Sequence, residues 1–480
     1  MTLQSHLTPT KLKNRLGILA LFGLDFAALF LIFHAAILLR KTVLPRFFSN
    51  LPEYHYQLGG YWWIFAVWLL IMLYEEGYSR RFARWDEVKF IWKSAFFSTI
   101  AILTMLFLMK RGQEYSRLLV GTMFILAITL FPLIRLRAKK LLYAAGLMRR
   151  KILIIGSGEA ACSAYSAITH EPNLGYEVAG FIDDHPSAPE IDCHKVHLGI
   201  GKIERYIKSA DIHDVIVAKP ELPKEPLVKL INTIQHKAEN TLYIPDISGI
   251  AVSGTELRHF FKEQTMVIEI KNNLFRPLNY LTKRAVDYLA GLLVFAVSIP
   301  ALLLIARLIK KDSPGPAMLR QERIGKNGRL FLCYKFRTMH TNAEERLNAI
   351  LAADPGAREE WEKYWKLKDD PRITKVGRWL RASSLDELPQ VINILKGEMS
   401  LIGPRPYLPR EKEFLAGEGP TILKLPPGIT GLWQVSGRSD TSYDSRLDMD
   451  AWYVKNWDLW LDIMIIFKTA GVVLKKEGAR

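Results

Sequence analysis

The sequence predicts a membrane protein of mixed α and α/β class: four transmembrane helices, a Rossmann-like doubly wound domain, and an α-rich C-terminal portion that begins with a re-entrant membrane helix. Three observations predict it. Residues 1–150 carry four apolar runs of roughly membrane-spanning length. From Lys151 the pattern changes to short buried strands alternating with helices, and the first strand leads into a glycine turn. A further apolar stretch, 286–309, has basic residues at both ends and Pro300 near its middle.

The four runs cover about 16–39, 58–74, 90–109 and 118–134. The second is short, with Trp62, Trp63 and Tyr74 at its ends, where amphipathic rings settle at a membrane interface. Basic residues set the orientation. Lys11, Lys13 and Arg15 precede the first run, Arg80, Arg81, Arg84 and Lys89 separate the second from the third, and Arg135 to Lys151 carries seven more cations. The other two loops are less basic, although Arg40, Lys41, Lys110 and Arg111 keep the contrast from being clean, so both termini are expected in the cytoplasm. Asp25 and His34 lie inside the first run; an interhelix hydrogen bond is preferred there to a transport pathway. The first run is long and lacks a small-residue cleavage site, so no cleavable signal peptide is expected.

Composition narrows the class. Of 480 residues, 49% are hydrophobic, and mean hydropathy is +0.06. That is too apolar for an ordinary soluble enzyme of this charge. The net charge is +17 and the pI about 9.5. The cations stand beside apolar runs and in Gly/Pro turns, which suits an anionic membrane face and a phosphate-bearing ligand and excludes nucleic acid as the expected partner. Cys162, Cys193 and Cys333 have no ligand-like spacing and are expected reduced.

In the second region, strand-like stretches are expected at 152–155, 176–184, 215–217 and 242–246, with a helix near 226–236. The first turn fits G-x-G-x-x-A through Gly156, Gly158 and Ala161, and Asp183 lies at the distance expected of a ribose-binding carboxylate. Tight strand–helix turns also use glycine without any ligand, so nucleotide binding at Gly156, Gly158 and Asp183 is an open expectation. The domains are placed at 1–145, 146–250 and 283–480, with a connector at 251–282 and the re-entrant helix at 283–311.

The stretch Ser383-Ser384-Leu385-Asp386-Glu387-Leu388-Pro389-Gln390 carries two adjacent acids. Ser384-x-x-Glu387 has the form of a capping box, and helix N–H groups would favour an ionised Asp386. Around it in sequence stand Lys335, Arg337 and Arg381, then Arg405 in Gly403-Pro404-Arg405-Pro406 and Arg438 after Gly437. So many cations in rigid turns suit phosphoryl oxygens, and Mg²⁺ on a diphosphate needs a carboxylate.

From Lys283 to Lys476 the chain resembles the bacterial sugar transferases, the monotopic polyprenyl-phosphate hexose-1-phosphate transferases. The resemblance rests on Ser384–Gln390, on Lys396-Gly397-Glu398-Met399-Ser400-Leu401-Ile402-Gly403-Pro404-Arg405-Pro406, and on Pro427-Gly428-Ile429-Thr430-Gly431-Leu432-Trp433-Gln434-Val435-Ser436-Gly437-Arg438. With its membrane N-terminus, the whole chain resembles the members that act on galactose or glucose. The family usually has Ser directly before the re-entrant proline; here the order is Ser298-Ile299-Pro300. The resemblance implies transfer of hexose 1-phosphate from a UDP-hexose to undecaprenyl phosphate at the cytoplasmic face, with release of UMP. Asp386 would be the nucleophile, Glu387 would hold Mg²⁺, and Lys335, Arg337, Arg381, Arg405 and Arg438 would bind the phosphates. The expected partners are thus a UDP-hexose, undecaprenyl phosphate and the phospholipid bilayer of the bacterial inner membrane; a homodimer is left open. The Rossmann-like unit would be an accessory module. Two alternatives stand beside this one. A membrane-bound NAD-dependent nucleotide-sugar dehydratase or epimerase lacks its Tyr-x-x-x-Lys in the right unit, since Tyr364-x-x-x-Lys368 lies far from it. A non-catalytic assembly scaffold would use Asp386 and Glu387 only as a cap.

Overall fold

The computed structural model describes residues 9–48, 60–109, 116–192, 194–246, 256–260, 265–269, 276–364, 367, 370–415, 417–436 and 442–475. The chain divides into two compact units, Met1–Ile247 and Ser248–Arg480.

The first unit begins with α1 (Pro9–Thr42), α2 (Trp62–Tyr74), α3 (Arg84–Leu108) and α4 (Arg117–Ala144). Helices α1, α3 and α4 are long and apolar enough to cross a membrane, whereas α2 has only 13 residues. At 1.5 Å per residue α2 spans roughly 20 Å, short of a hydrocarbon core of roughly 30 Å. The expected second span is therefore a shorter helix. Its C-terminal end is set by Glu76 and Gly77, which turn the chain after Tyr74; Glu76 has φ of 58°. The fourth helix of spanning length lies in the second unit, at Pro277–Asp312.

Polar groups hold the bundle together. Arg135, fully buried, donates to Asp25, to Glu87 Oε1 at 2.8 Å and to the Gly77 carbonyl. Lys139 Nζ lies 2.5 Å from Glu87 Oε2. Asp25 is thus an interhelix partner, as preferred from sequence, while the His34 ring stays on its own helix, 2.9 Å from the Phe30 carbonyl.

The bundle leads into a six-stranded sheet of β1 (Arg150–Ile155), β2 (Tyr176–Ile182), β3 (Glu190–Ile191), β4 (His194–His197), β5 (Asp214–Val217) and β6 (Asn240–Tyr243), with α5 (Glu159–His170), α6 (Ile203–Ser209) and α7 (Lys224–Gln235). The order is β3-β4-β2-β1-β5-β6, parallel except for β3 against β4. Alternate residues of β1 enter opposite layers. Ile152 and Ile154 pack with Ala161, Ala164 and Ile168 of α5, and Leu153 and Ile155 pack with Ile203, Ile207 and Ile234. This is the doubly wound sheet predicted. The 171–174 turn then ties sheet to bundle: Asn173 Nδ2 donates to Glu87 at 2.6 Å, and Tyr143 donates to the Asn173 carbonyl.

The second unit starts with an antiparallel pair, β7 (Glu256–Phe260) and β8 (Thr265–Glu269), followed by α8 (Pro277–Asp312). Pro300 was expected to break this helix, yet α8 runs through it unbroken. A single proline removes one N–H donor and bends a helix without ending it when neighbouring turns hold. One face of α8 is bound to its own unit over its whole length. Lys283 and Asp287 near the start reach Ile402, Ser400 and Leu401, Gly291 packs on Ile394, and Ile305 and Ile309 near the end join Phe336 and Leu380. The other face exposes Leu281, Leu289, Leu293, Val297 and Leu303.

The remaining elements are β9 (Met318–Ile324), β10 (Leu330–Phe336), α9 (Ala343–Ala353), α10 (Pro355–Tyr364), α11 (Lys375–Ser383), a 3-10 turn at Leu385–Gln390, α12 (Val391–Leu395), β11 (Ser400–Ile402), α13 (Gly419–Ile422), β12 (Gly428–Thr430), α14 (Leu432–Ser436), α15 (Tyr443–Lys455) and α16 (Leu459–Lys475). β9 and β10 form an antiparallel ribbon, and β11 pairs with β12 in parallel.

Candidate active site

Asp386 and Glu387 do not open an α-helix. Ser384 has φ of 55° and closes α11, its N–H donating back to Arg381 at 3.2 Å, and its side chain caps nothing. The expected capping box is therefore not formed. The acids lie in the first turn of the 3-10 segment that joins α11 to α12. Glu387 turns instead to the ribbon, where Lys335 Nζ donates to its Oε1 at 2.6 Å.

The site is held by contacts from three directions. Asn393 of α12, fully buried, accepts from the Tyr334 N–H at 3.0 Å and donates to the Leu332 carbonyl at 2.7 Å. It fixes the end of β10, and so Lys335, against the turn carrying the acids. Arg381 Nε donates to Thr338 Oγ1 at 3.0 Å. Gly377 lets α11 lie directly on the Thr338 carbonyl, which any Cβ there would strike at 2.0 Å. Behind Arg381, Arg372 forms a two-pronged pair with Asp370 at 2.8 and 2.6 Å. Sequence reading passed over Asn393, although a lone amide inside Val391-Ile392-Asn393-Ile394-Leu395 is a visible signal, as is the Asp-x-Arg spacing of 370 and 372.

The electrostatics of Asp386 differ from expectation. Burial pushes its carboxyl above the ordinary range, and the neighbouring Glu387 charge adds to this, while Lys335 and Arg381 pull it down. The backbone N–H contribution anticipated from sequence is the smallest of these influences. A raised pKa marks a carboxylate that holds its proton more strongly than a solvated one, and such perturbed groups gather at functional sites.

The other cations have separate fates. Arg337 is buried and spends its guanidinium on chain termination: Nη1 donates to Pro314 O at 2.7 Å, and Nη2 to Ser313 O at 2.8 Å and Ser313 Oγ at 2.9 Å. It clamps the end of α8 to β10. Arg405 follows β11, with its guanidinium 5.5 Å from the Trp433 ring centre and 4.0 Å from Glu411. Its backbone N–H and the Tyr407 hydroxyl both donate to Asp450, at 2.9 and 2.7 Å, yet burial pushes Asp450 up to about 6. Gly428 allows this loop to close, because a Cβ there would meet the Gly403 nitrogen at 2.1 Å. Arg323, which sequence reading did not single out as a phosphate ligand, has both Glu387 and Arg405 in its electrostatic neighbourhood. Arg438 lies outside the described residues.

Metal and nucleotide fit differently. Among the described residues no three acids, histidines or cysteines cluster for a metal. Asp386 and Glu387 supply two carboxylates, and that suffices for Mg²⁺, which keeps its waters and takes its other oxygens from substrate phosphates. In the sheet, Gly156 has φ of 118° and a Cβ there would strike the Ala218 carbonyl at 2.5 Å, so the glycine serves strand packing. Gly158 precedes α5 with open space around it. Asp183 already accepts from Ser157 at 2.7 Å, Lys219 at 2.6 Å and the His185 N–H at 3.1 Å. The carboxylate expected on a ribose is committed inside the protein.

A family model described as bacterial sugar transferase matches residues 278–476, and one described as a CoA-binding domain matches residues 73–245. The undecaprenyl-phosphate galactose phosphotransferase of Salmonella typhimurium is 38% identical over 412 residues, covering 86% of each chain. The UDP-glucose:undecaprenyl-phosphate glucose-1-phosphate transferase of Escherichia coli is 30% identical over 336 residues, 68% of each chain. The exopolysaccharide production protein ExoY of Rhizobium meliloti is 44% identical over 204 residues, which are 42% of this chain and 90% of that one. With similarity of this extent over most of both chains, and with Asp386 and Glu387 inside the matched region, this chain belongs to the bacterial sugar transferase family.

Proposed function

We propose that this protein transfers hexose 1-phosphate, galactose or glucose, from a UDP-hexose to undecaprenyl phosphate at the cytoplasmic face of the inner membrane, as the first membrane step of O-antigen or exopolysaccharide synthesis. The observation that carries the reading is the half-buried pair Asp386–Glu387, with Lys335 bonded to Glu387 and Arg381 in the electrostatic neighbourhood of Asp386, in a unit whose longest helix presents a bare apolar face. Both ends of α8 rest on that one unit. Their separation along the helix, Lys283 to Ile309, is roughly 39 Å at 1.5 Å per residue. A helix held to one body at both ends is suited to dip into one leaflet and return, bending at Pro300, and not to cross the bilayer. The acids then stay on the side where the UDP-sugar is.

In this reading an Asp386 carboxylate oxygen attacks the β-phosphorus of the UDP-hexose. The bond from that phosphorus to the bridging oxygen breaks, and the oxygen leaves with the α-phosphate as UMP. A phosphate oxygen of undecaprenyl phosphate then attacks the same phosphorus, which releases the Asp386 carboxylate and leaves a lipid diphosphate hexose. Lys335 and Arg381 offset the growing negative charge. Glu387 would hold Mg²⁺, which would supply charge neutralisation on the diphosphate. Splitting the transfer in two suits substrates that come from water and from lipid.

The test uses the full-length protein in nanodiscs and sugar-labelled UDP-galactose or UDP-glucose without lipid phosphate. One of the two sugars should release UMP and leave label on Asp386. Asp386→Asn should lose both signals by roughly three orders of magnitude, whereas residual activity of Glu387→Gln should respond to Mg²⁺ concentration. An active enzyme that carries no label, and forms product only with both substrates present, would make the transfer direct and Asp386 a base or metal ligand.

A further inference from the structure

A recess in the first unit takes no part in this chemistry. It opens where the start of α1, the turn between α2 and α3, the end of α4 and the start of β1 meet. Asn14, Arg80, Arg81, Lys139, Tyr143 and Arg150 line it, and it is shallow and open to solvent. These are the ends of the apolar helices, so the recess stands at the depth of lipid headgroups once α1, α3 and α4 cross the bilayer.

Its charge is unbalanced. Lys139 is neutralised by Glu87 at 2.5 Å, and Arg150 faces Asp214 at 3.5 Å and Glu239 at 3.3 Å. Arg80 makes only a ring contact with Phe82, its guanidinium 5.6 Å from the ring centre. Arg81 gives its two terminal nitrogens to neutral carbonyls, those of Leu174 and Met148, and stacks over Tyr176. Among the described residues, neither arginine has a carboxylate within ion-pair distance. Beside them the Asn14 amide oxygen is buried with no hydrogen-bond partner. A buried acceptor without a donor is uncommon and calls for an occupant.

Two uncompensated guanidinium groups next to an acceptor in need of a donor are complementary to a phosphodiester that carries a hydroxyl. Basic pockets at the ends of membrane helices bind anionic headgroups for the same reason. We propose that this recess binds the phosphoglycerol headgroup of an anionic phospholipid, with its phosphate on Arg80 and Arg81 and a glycerol hydroxyl on Asn14. The proposal rests on residues 9–144 being membrane-embedded and is independent of the transfer chemistry in the second unit.

The experiment takes the delipidated full-length protein in detergent. It adds dioleoylphosphatidylglycerol, dioleoylphosphatidic acid, dioleoylphosphatidylcholine or inorganic phosphate, and reads retained lipid by native mass spectrometry and stability by thermal melting. Phosphatidylglycerol should be retained and raise the melting temperature, and phosphatidylcholine should do neither. Arg80→Gln, a change at an exposed position, should weaken retention about fivefold, the worth of one arginine at an anionic surface. Asn14→Leu should weaken phosphatidylglycerol but leave phosphatidic acid, which lacks the glycerol hydroxyl, unchanged. Equal retention of the glycerol and choline lipids, or no effect of either substitution, would overturn the proposal. Stabilisation by inorganic phosphate alone that is lost in Arg80→Gln would also overturn it, by making the recess a free-phosphate site.

Discussion

In the proposed mechanism Asp386 has to be ionised to attack phosphorus, and its surroundings work against that. Burial comes first and the Glu387 charge second in raising its pKa, with Lys335 and Arg381 opposing them. Activity should therefore fall, as pH drops, at a pH above the ordinary aspartate range of about 3.9. The neighbours set the direction of each further change. Glu387→Gln removes a negative charge and should move the acid limb of kcat/KM to lower pH. Lys335→Met removes a cation and should move it to higher pH. Full pH–rate profiles of the two variants check this, and shifts in the same direction would detach the limb from Asp386. Two readings of this motif made from sequence changed for physical reasons. Ser384-x-x-Glu387 matches a capping box residue for residue, but Ser384 is used to end α11, and Glu387 is drawn to a lysine 52 positions away. Local patterns cannot report such a distant partner.

At the scale of elements, Arg337 and Arg381 looked alike in the sequence and do different work. Arg337 joins the end of β10 to the residues just after α8 through three hydrogen bonds to Ser313 and Pro314. Removing it leaves buried carbonyls without donors, so Arg337→Met should cost about 3 kcal/mol of stability. Thermal inactivation should come earlier, while the folded fraction keeps its activity. Arg381→Gln should do the reverse: an almost unchanged melting curve and a loss of about a hundredfold in UMP release. A stable but inactive Arg337→Met protein would return that guanidinium to the phosphates. The elements themselves were largely readable. Buried strands alternating with helices, and the glycine turn after β1, announced the doubly wound sheet, and apolar length announced α1, α3, α4 and α8. What could not be read was the continuity of α8 through Pro300. The fate of Asp183 was equally hidden, because its partner Lys219 comes from the end of another strand.

At the scale of the whole molecule, the proposed transferase chemistry is assigned to one unit. The described site residues lie between Arg323 and Asp450, inside the compact unit Ser248–Arg480 and inside the family match at 278–476. The first unit carries a buried ion network that binds its bundle to its sheet, and its glycine turn serves packing. A relative that matches 42% of this chain with 90% of its own length has no counterpart for most of the remainder. Residues 271–480 alone should therefore keep UMP release in nanodiscs, since α8 brings its own membrane-facing surface. The loss of residues 1–260 should instead show in lipid dependence, because the phosphoglycerol recess goes with them. Circular dichroism establishes whether the truncated protein is folded, and UMP release from the sugar used by the full chain is then compared per folded molecule. A folded fragment that releases no UMP would mean that the first unit completes the site or holds an obligatory dimer. A fragment as active as the full chain, but no longer retaining phosphatidylglycerol, would assign catalysis to the second unit and lipid binding to the first.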